Sequence, residues 1–191
     1  MRLHARLHGG ERGFDGRNSR FYDFMAGLPL RRVYRRLARD VADLAAEGAR
    51  VLDIGTGPGV LLVELATLRP DLRVTGVDRS ADMIDAARRR LVPFGDRAEA
   101  VVGDAAELPF PDASFDLIVS SLSLHHWQRP ADAAGELRRV LRPGGQVCVY
   151  DFPSAPFAAI TAGDVPVRST IRSGIPFAPP LTRLLLTPEA T

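Results

Sequence analysis

The chain has 191 residues, 46% of them hydrophobic and 25% charged, a balance that suits one folded domain with a buried core and excludes a compositionally disordered chain. Its 25 basic against 23 acidic residues leave a formal charge of only +2, so the basic pI of about 9.2 reflects arginines that do not deprotonate and makes no case for a nucleic-acid partner. Every one of the 25 basic residues is arginine, which excludes Schiff-base and phosphate-loop lysine chemistry. The single cysteine, Cys148, excludes an internal disulfide and a cysteine-rich zinc site.

Residues 1–17, rich in Gly, Arg and His, read as a loose arm. They lack the apolar run of a secretion signal, and no stretch approaches the ~18 apolar residues of a membrane span, so a cytoplasmic protein is expected. From Leu30 the apolar residues Val33, Tyr34, Leu37, Val41 and Leu44 keep the spacing of an amphipathic helix that Gly48 can end. Its other face carries Arg31, Arg32, Arg35, Arg36 and Arg39. Asp40 and Asp43 stand four residues after Arg36 and Arg39, where they can pair with them, and the face reads as solvated.

Strand and helix patterns then alternate. Short apolar strands are expected at 50–54, 72–77, 98–102, 115–120 and 146–150. Helices are expected at 60–68, at 81–91 with Ser80 as N-cap, and at 131–141 stopped by Pro143-Gly144-Gly145. Such alternation implies right-handed crossovers and a parallel sheet covered on both faces. Beyond Asp151 repeated prolines break the pattern, leaving at most one short helix within 154–163 and a hairpin around 168–175 and 181–186. Cys148 falls inside a buried strand and reads as inert packing.

The most informative segment is Val51–Gly59, VLDIGTGPG, a buried strand running into glycines at 55, 57 and 59. Such a loop lets backbone N–H groups approach a ligand, and the helix that follows favours an anionic group at its start. The spacing does not fit a dinucleotide fingerprint, whose third glycine would fall where Val60 stands. Asp53, Asp78 and Asp104 lie at successive strand ends, and in an open parallel sheet such ends meet in one crevice. Asp78, about 20 residues past the glycines, is placed to accept from the two hydroxyls of a ribose.

With these residues the chain resembles the class I S-adenosylmethionine-dependent methyltransferases. The resemblance is carried by VLDIGTGPG (51–59), GVDRSADMI (76–84), GDAAELPFPDASFDLIVSSLSLHHW (103–127) and LRRVLRPGGQVCVYD (137–151). It is strongest to the small-molecule branch that includes the ubiquinone and menaquinone biosynthesis C-methyltransferases. The resemblance implies an α/β fold, a doubly wound, mostly parallel seven-stranded Rossmann-like sheet with a final antiparallel strand and helices on both faces. It divides a single domain into an arm and lid helices (1–47), a cofactor-binding core (48–151) and short C-terminal strands and loops (152–191).

The resemblance also implies roles. Asp53 with Gly55, Thr56, Gly57 and Gly59 would hold the methionine end of S-adenosylmethionine, and Asp78 the ribose. Arg79 and Met83 would flank the adenine, Asp104 would accept from its amino group with Ala105 beside it, and Ser120 would lie under the sulfonium. Tyr22, with Phe21 and Phe24, would belong to a segment that in this family often folds over the cofactor as a lid. Transfer to a small-molecule acceptor by in-line displacement would leave S-adenosylhomocysteine. His125, His126 and Asp151 are the candidate bases, Trp127 reads as a loop anchor, and no carboxylate cluster accompanies the histidines to suggest a metal. Two other functions stay open: a non-catalytic S-adenosylmethionine-binding accessory or sensor protein, and an RNA methyltransferase. Since only 40 residues follow Asp151, a second subunit, as in a homodimer, could complete the acceptor pocket.

Overall fold

Each change of hydrophobic period marks one element in the computed structural model of the protein, which describes residues 28–161, 166–172 and 179–187. The elements are α1 (Leu28–Leu44), β1 (Arg50–Ile54), α2 (Val60–Leu68), β2 (Arg73–Asp78), α3 (Ala81–Leu91), β3 (Ala98–Val102), β4 (Phe115–Ser121), α4 (Pro130–Val140), β5 (Leu141–Asp151), α5 (Phe157–Ile160), β6 (Val167–Ile171) and β7 (Leu181–Leu186). Short 3-10 turns at Val92–Arg97 and Leu124–His126 join α3 to β3 and follow β4. The strands form one sheet in the order β3-β2-β1-β4-β5-β7-β6, parallel throughout except β7, which runs antiparallel to both neighbours.

Strand residues alternate between two cores. Val51, Val74, Leu117, Val119, Cys148 and Tyr150 pack with α1, α2 and α3 on one face. Leu52, Ile54, Ile118, Val147 and Val149 pack with α4 and α5 on the other. Both faces are therefore apolar, as a parallel sheet with crossover helices requires. The Cys148 thiol is buried, which pushes its pKa up to about 11.

Several local expectations are corrected by tertiary contacts. Helix α1 ends at Leu44, before Gly48. Carbonyls of its last turn and of the two residues after it are satisfied from outside: the Arg69 guanidinium donates to Ala42 O at 2.7 Å, Ala45 O at 3.2 Å and Ala46 O at 3.3 Å. Gly48, at φ +68°, forms the turn that follows. The Pro143-Gly144-Gly145 triplet does not lie between helix and strand but inside β5, where the register with β4 slips between Phe115 and Leu117. Gly144 has φ +78°, and a Cβ on Gly145 would come within 2.8 Å of the Asp116 carbonyl oxygen, so the triplet makes a bulge that few other residues fit.

The arginine face of α1 also pairs differently from its spacing. Arg31 and Arg35 cross to Glu64 of α2, at 2.9 and 3.3 Å. Asp40 turns away from Arg36 towards the sheet, where one of its oxygens accepts from the buried Tyr150 phenol at 2.5 Å and from Arg183 Nε at 2.6 Å. A charge-assisted bond to a guanidinium and a buried hydroxyl outweighs an exposed i,i+4 pair worth about 0.2–0.5 kcal/mol.

This contact ties α1 to β5 and β7, and its energetics can be separated by substitution. Tyr150→Phe removes one donor and should cost about 1–2 kcal/mol in urea unfolding, whereas Asp40→Ala strands both the phenol and the guanidinium and should cost about 3 kcal/mol. Equal and small losses in the two variants would show that the contact carries little.

Candidate functional site

The glycine loop leaves β1 and has three left-handed residues, Gly55 (φ +69°), Gly57 (φ +52°) and Gly59 (φ +77°). Each is glycine for a separate reason. The Gly55 and Thr56 N–H groups both donate to the Val77 carbonyl, at 2.8 and 3.0 Å, which hitches the loop to β2. A Cβ at Gly55 would lie 1.7 Å from Ser123 Oγ, so only glycine lets the segment after β4 rest on the loop. At Gly59 a Cβ would meet Ala87 of α3 at 3.0 Å. Gly57 faces open space, with no atom within 4 Å of its missing Cβ, and its N–H donates to Asp78 Oδ2 at 2.9 Å. The open side of Gly57 is where a ligand can approach the backbone.

Around the loop stand the carboxylates. Asp53 is fully buried; Thr56 Oγ1 donates to its Oδ2 at 2.7 Å, and its Oδ1 has no partner. Burial pushes its pKa from 3.8 to about 7, against the Thr56 hydrogen bond and with added repulsion from Asp78. Asp78 accepts from Gly57 N–H and, through Oδ1, from Ser80 N–H at 2.9 Å, so each oxygen keeps a lone pair for a further donor. Ser80 caps α3 as its sequence predicts, accepting from the N–H of the buried Met83 at 3.4 Å.

Asp104 follows β3; its Oδ1 accepts from Ala106 N–H at 2.9 Å, while Oδ2 faces Arg79 Nε at 3.5 Å and Arg129 Nη2 at 3.7 Å. Ala105 is half-buried against the second core. Ser120, near the end of β4, is buried with an unpartnered hydroxyl. Unpaired buried polar groups cost about 1–3 kcal/mol each, and here two of them, Asp53 Oδ1 and Ser120 Oγ, lie at the ends of the adjacent strands β1 and β4. The residues fit a ligand that carries a donor or cationic group at one end and a polyhydroxyl group beside Asp78.

The segment after β4 brings the histidines to the same edge. His125 Nδ1 lies 2.7 Å from Asp151 Oδ1, and its backbone N–H donates to Oδ2 at 3.1 Å. Asp151 is fully buried and also accepts from Phe152 N–H at 2.7 Å. The His126 ring stacks obliquely on His125 with centroids 4.0 Å apart, and partial burial and the neighbouring imidazole lower its pKa. Trp127 Nε1 donates to Ser123 Oγ at 2.9 Å, which makes it the anchor of this turn. Tyr22, Phe21 and Phe24 lie outside the described residues. Among the described residues no group of three or more His, Cys, Asp or Glu is placed to hold a metal ion.

Sequence reasoning missed the residues that hold the 103–114 segment in place. Arg139 of α4 donates to Glu136 through Nε and Nη2, both at 2.7 Å, to Asp112 at 2.8 Å, and to the carbonyls of Phe110 and Leu108 at 2.8 and 3.0 Å. Glu136 in turn accepts from Leu108 N–H at 2.7 Å. The Glu136/Arg139 spacing is readable as a helix pair, but nothing local says that it grips a loop some 30 residues earlier.

A parallel sheet with one reversed strand, a glycine loop at the end of β1 and acids at the next strand ends together define a Rossmann-like sheet of the methyltransferase type. Residues 52–149, just over half of the chain, match the family described as a methyltransferase domain, and the chain belongs to that family. It is 38% identical over 140 residues to a demethylmenaquinone methyltransferase of Thermus thermophilus, covering 72% of this chain and 64% of that one. It is 36% identical over 130 residues to a 27-O-demethylrifamycin SV methyltransferase of Amycolatopsis mediterranei, covering 67% and 47%. The chain thus spans less than two thirds of the length of either relative. The crystal structure of a SAM-dependent methyltransferase from Aquifex aeolicus superposes with a TM-score of 0.73 at 21% identity, over 91% of this chain and 98% of that one.

The raised pKa of Asp53 has a consequence for stability. Because the folded value lies above the unfolded one, folding takes up a proton; the contribution is complete below pH about 4 and is lost as pH rises through about 7. Relative to Asp53→Asn, the native protein should lose up to about 4 kcal/mol between these limits. Urea denaturation of both proteins at pH 4.5 and pH 8 measures this, and identical pH dependence would contradict it.

Proposed function

We propose that the protein transfers a methyl group from S-adenosylmethionine to a small-molecule acceptor, with His125 as the base. When bound, S-adenosylmethionine supplies a methyl group already activated by its sulfonium. The work left to the chain is therefore positioning and, for an acceptor hydroxyl or acidic carbon, removal of a proton. Asp53 and the loop Gly55, Thr56, Gly57 and Gly59 would hold the methionine end, Asp78 the ribose, Arg79 and Met83 the faces of the adenine, Asp104 and Ala105 its edge, and Ser120 the region under the sulfonium. Tyr22 would belong to a lid over these residues.

The observation that carries the reading is the contact between Ser123 and Gly55. It seats the turn bearing His125 directly against the glycine loop, so base and methyl donor would share one cleft. The buried carboxylate of Asp151 opposite Nδ1 keeps the ring proton on that nitrogen and leaves the Nε2 lone pair for the acceptor. With its oxygens taken by His125 and Phe152 N–H, Asp151 orients the ring instead of meeting the acceptor itself. His126, stacked on His125, would line the same cleft.

A base held in one orientation by a buried partner is more than a sensor needs, which favours catalysis over binding alone. Both curated relatives compared above are named for small molecules, demethylmenaquinone and 27-O-demethylrifamycin SV, and this supports a small-molecule acceptor over RNA.

Labelled methyl from S-adenosylmethionine should enter the small-molecule fraction of a cell extract in the presence of the protein. His125→Ala and Asp151→Asn should each lower kcat by about 10²–10⁴ while S-adenosylhomocysteine affinity, by calorimetry, stays within twofold. Tight binding without transfer to any extract would favour the accessory or sensor reading. Full activity in His125→Ala would remove the base assignment.

A further inference from the structure

We infer that Arg129 is a binding residue for the purine end of the ligand, sharing the Asp104 carboxylate with Arg79; the inference rests on the function proposed above. Three loops from three strand ends meet at Asp104 Oδ2. Arg79 follows β2, Asp104 follows β3, and Arg129 follows β4 just before α4. Arg79 Nε stands 3.5 Å from that oxygen and Arg129 Nη2 3.7 Å.

The other amino group of Arg129, Nη1, lies 3.6 Å from Asp132 Oδ2 in the first turn of α4. One guanidinium is thus held between two carboxylates. Its backbone is held as well, because Pro130 opens the helix and disfavours helical backbone at the residue before it.

This arrangement contributes little to the fold. Both arginine side chains are half exposed, and solvent screens exposed ion pairs so that they add little stability. At 3.5–3.7 Å neither guanidinium makes a close hydrogen bond to Oδ2, so that oxygen can still accept from an amino group. A planar, weakly hydrated cation beside an acceptor suits a purine, whose ring offers a face to the guanidinium and whose exocyclic amine offers a donor to the carboxylate. Charge and planarity both matter on this account, so lysine is a poor substitute for Arg129.

Calorimetry with S-adenosylhomocysteine and with adenosine tests this on the full chain. Arg129→Ala should weaken both ligands by a similar factor, about tenfold, because the loss falls on the part they share, and Arg129→Lys should recover only part of it. S-inosylhomocysteine, which lacks the amino donor, should bind the native protein more weakly than S-adenosylhomocysteine does. The melting temperature of ligand-free Arg129→Ala should match that of the native protein. A loss confined to S-adenosylhomocysteine, affinities within twofold of native, or a loss that follows a lowered melting temperature would each overturn the assignment. If the native protein binds neither ligand, the cofactor reading fails, and this inference with it.

Discussion

The carboxyl edge of the sheet depends on there being no side chain at Gly55. That absence brings Ser123 Oγ to where a Cβ would stand, and the turn from Ser123 to Trp127 is fixed from there. Trp127 Nε1 closes on the same hydroxyl, and His125 then reaches Asp151. A methyl group at Gly55 would disturb two structures at once, because the glycine loop and the histidine turn occupy adjoining space. Van der Waals exclusion at one position thus sets the distance between the loop proposed for the methyl donor and the base proposed for the acceptor.

Three buried or half-buried carboxylates illustrate how the fold handles charge. Asp40 meets a guanidinium and a phenol. Asp151 meets an imidazole and two backbone N–H groups. Asp53 meets only a hydroxyl, and its other oxygen meets nothing. Desolvation is offset in the first two by cationic or multiple donors and is left standing in the third, where it raises the Asp53 pKa to about 7. A buried carboxylate deficient in partners is stable in its neutral form, or as an anion beside a cation that arrives from outside.

What the sequence makes legible is local. The glycine spacing, the strand-end acids, the Ser80 cap and the alternation of strands with helices all act within a few residues, and all appear in the fold. The pairing of Asp40 is not legible locally, because its partners, Tyr150 and Arg183, lie 110 and 143 residues away. The Pro143-Gly144-Gly145 triplet reads locally as a helix stop, but its place inside β5 depends on pairing with β4. Arg69 capping α1, and Arg139 gripping the segment after β3, are likewise contacts that only the folded chain defines. Arginine recurs in these cases because its five donors can serve several carbonyls and carboxylates at once, and in a chain without lysine arginine carries all of that work.

The end of β5 joins the two halves of the site. Tyr150 and Asp151 are neighbours in a strand and so face opposite sides of the sheet. Tyr150 holds α1 through Asp40, while Asp151 holds His125. The strand also pairs with β7, whose Arg183 completes the Asp40 contact. One pair of adjacent residues therefore holds both α1 and the His125 imidazole. The contact that holds α1 and the contact that holds His125 are thus one peptide unit apart in β5.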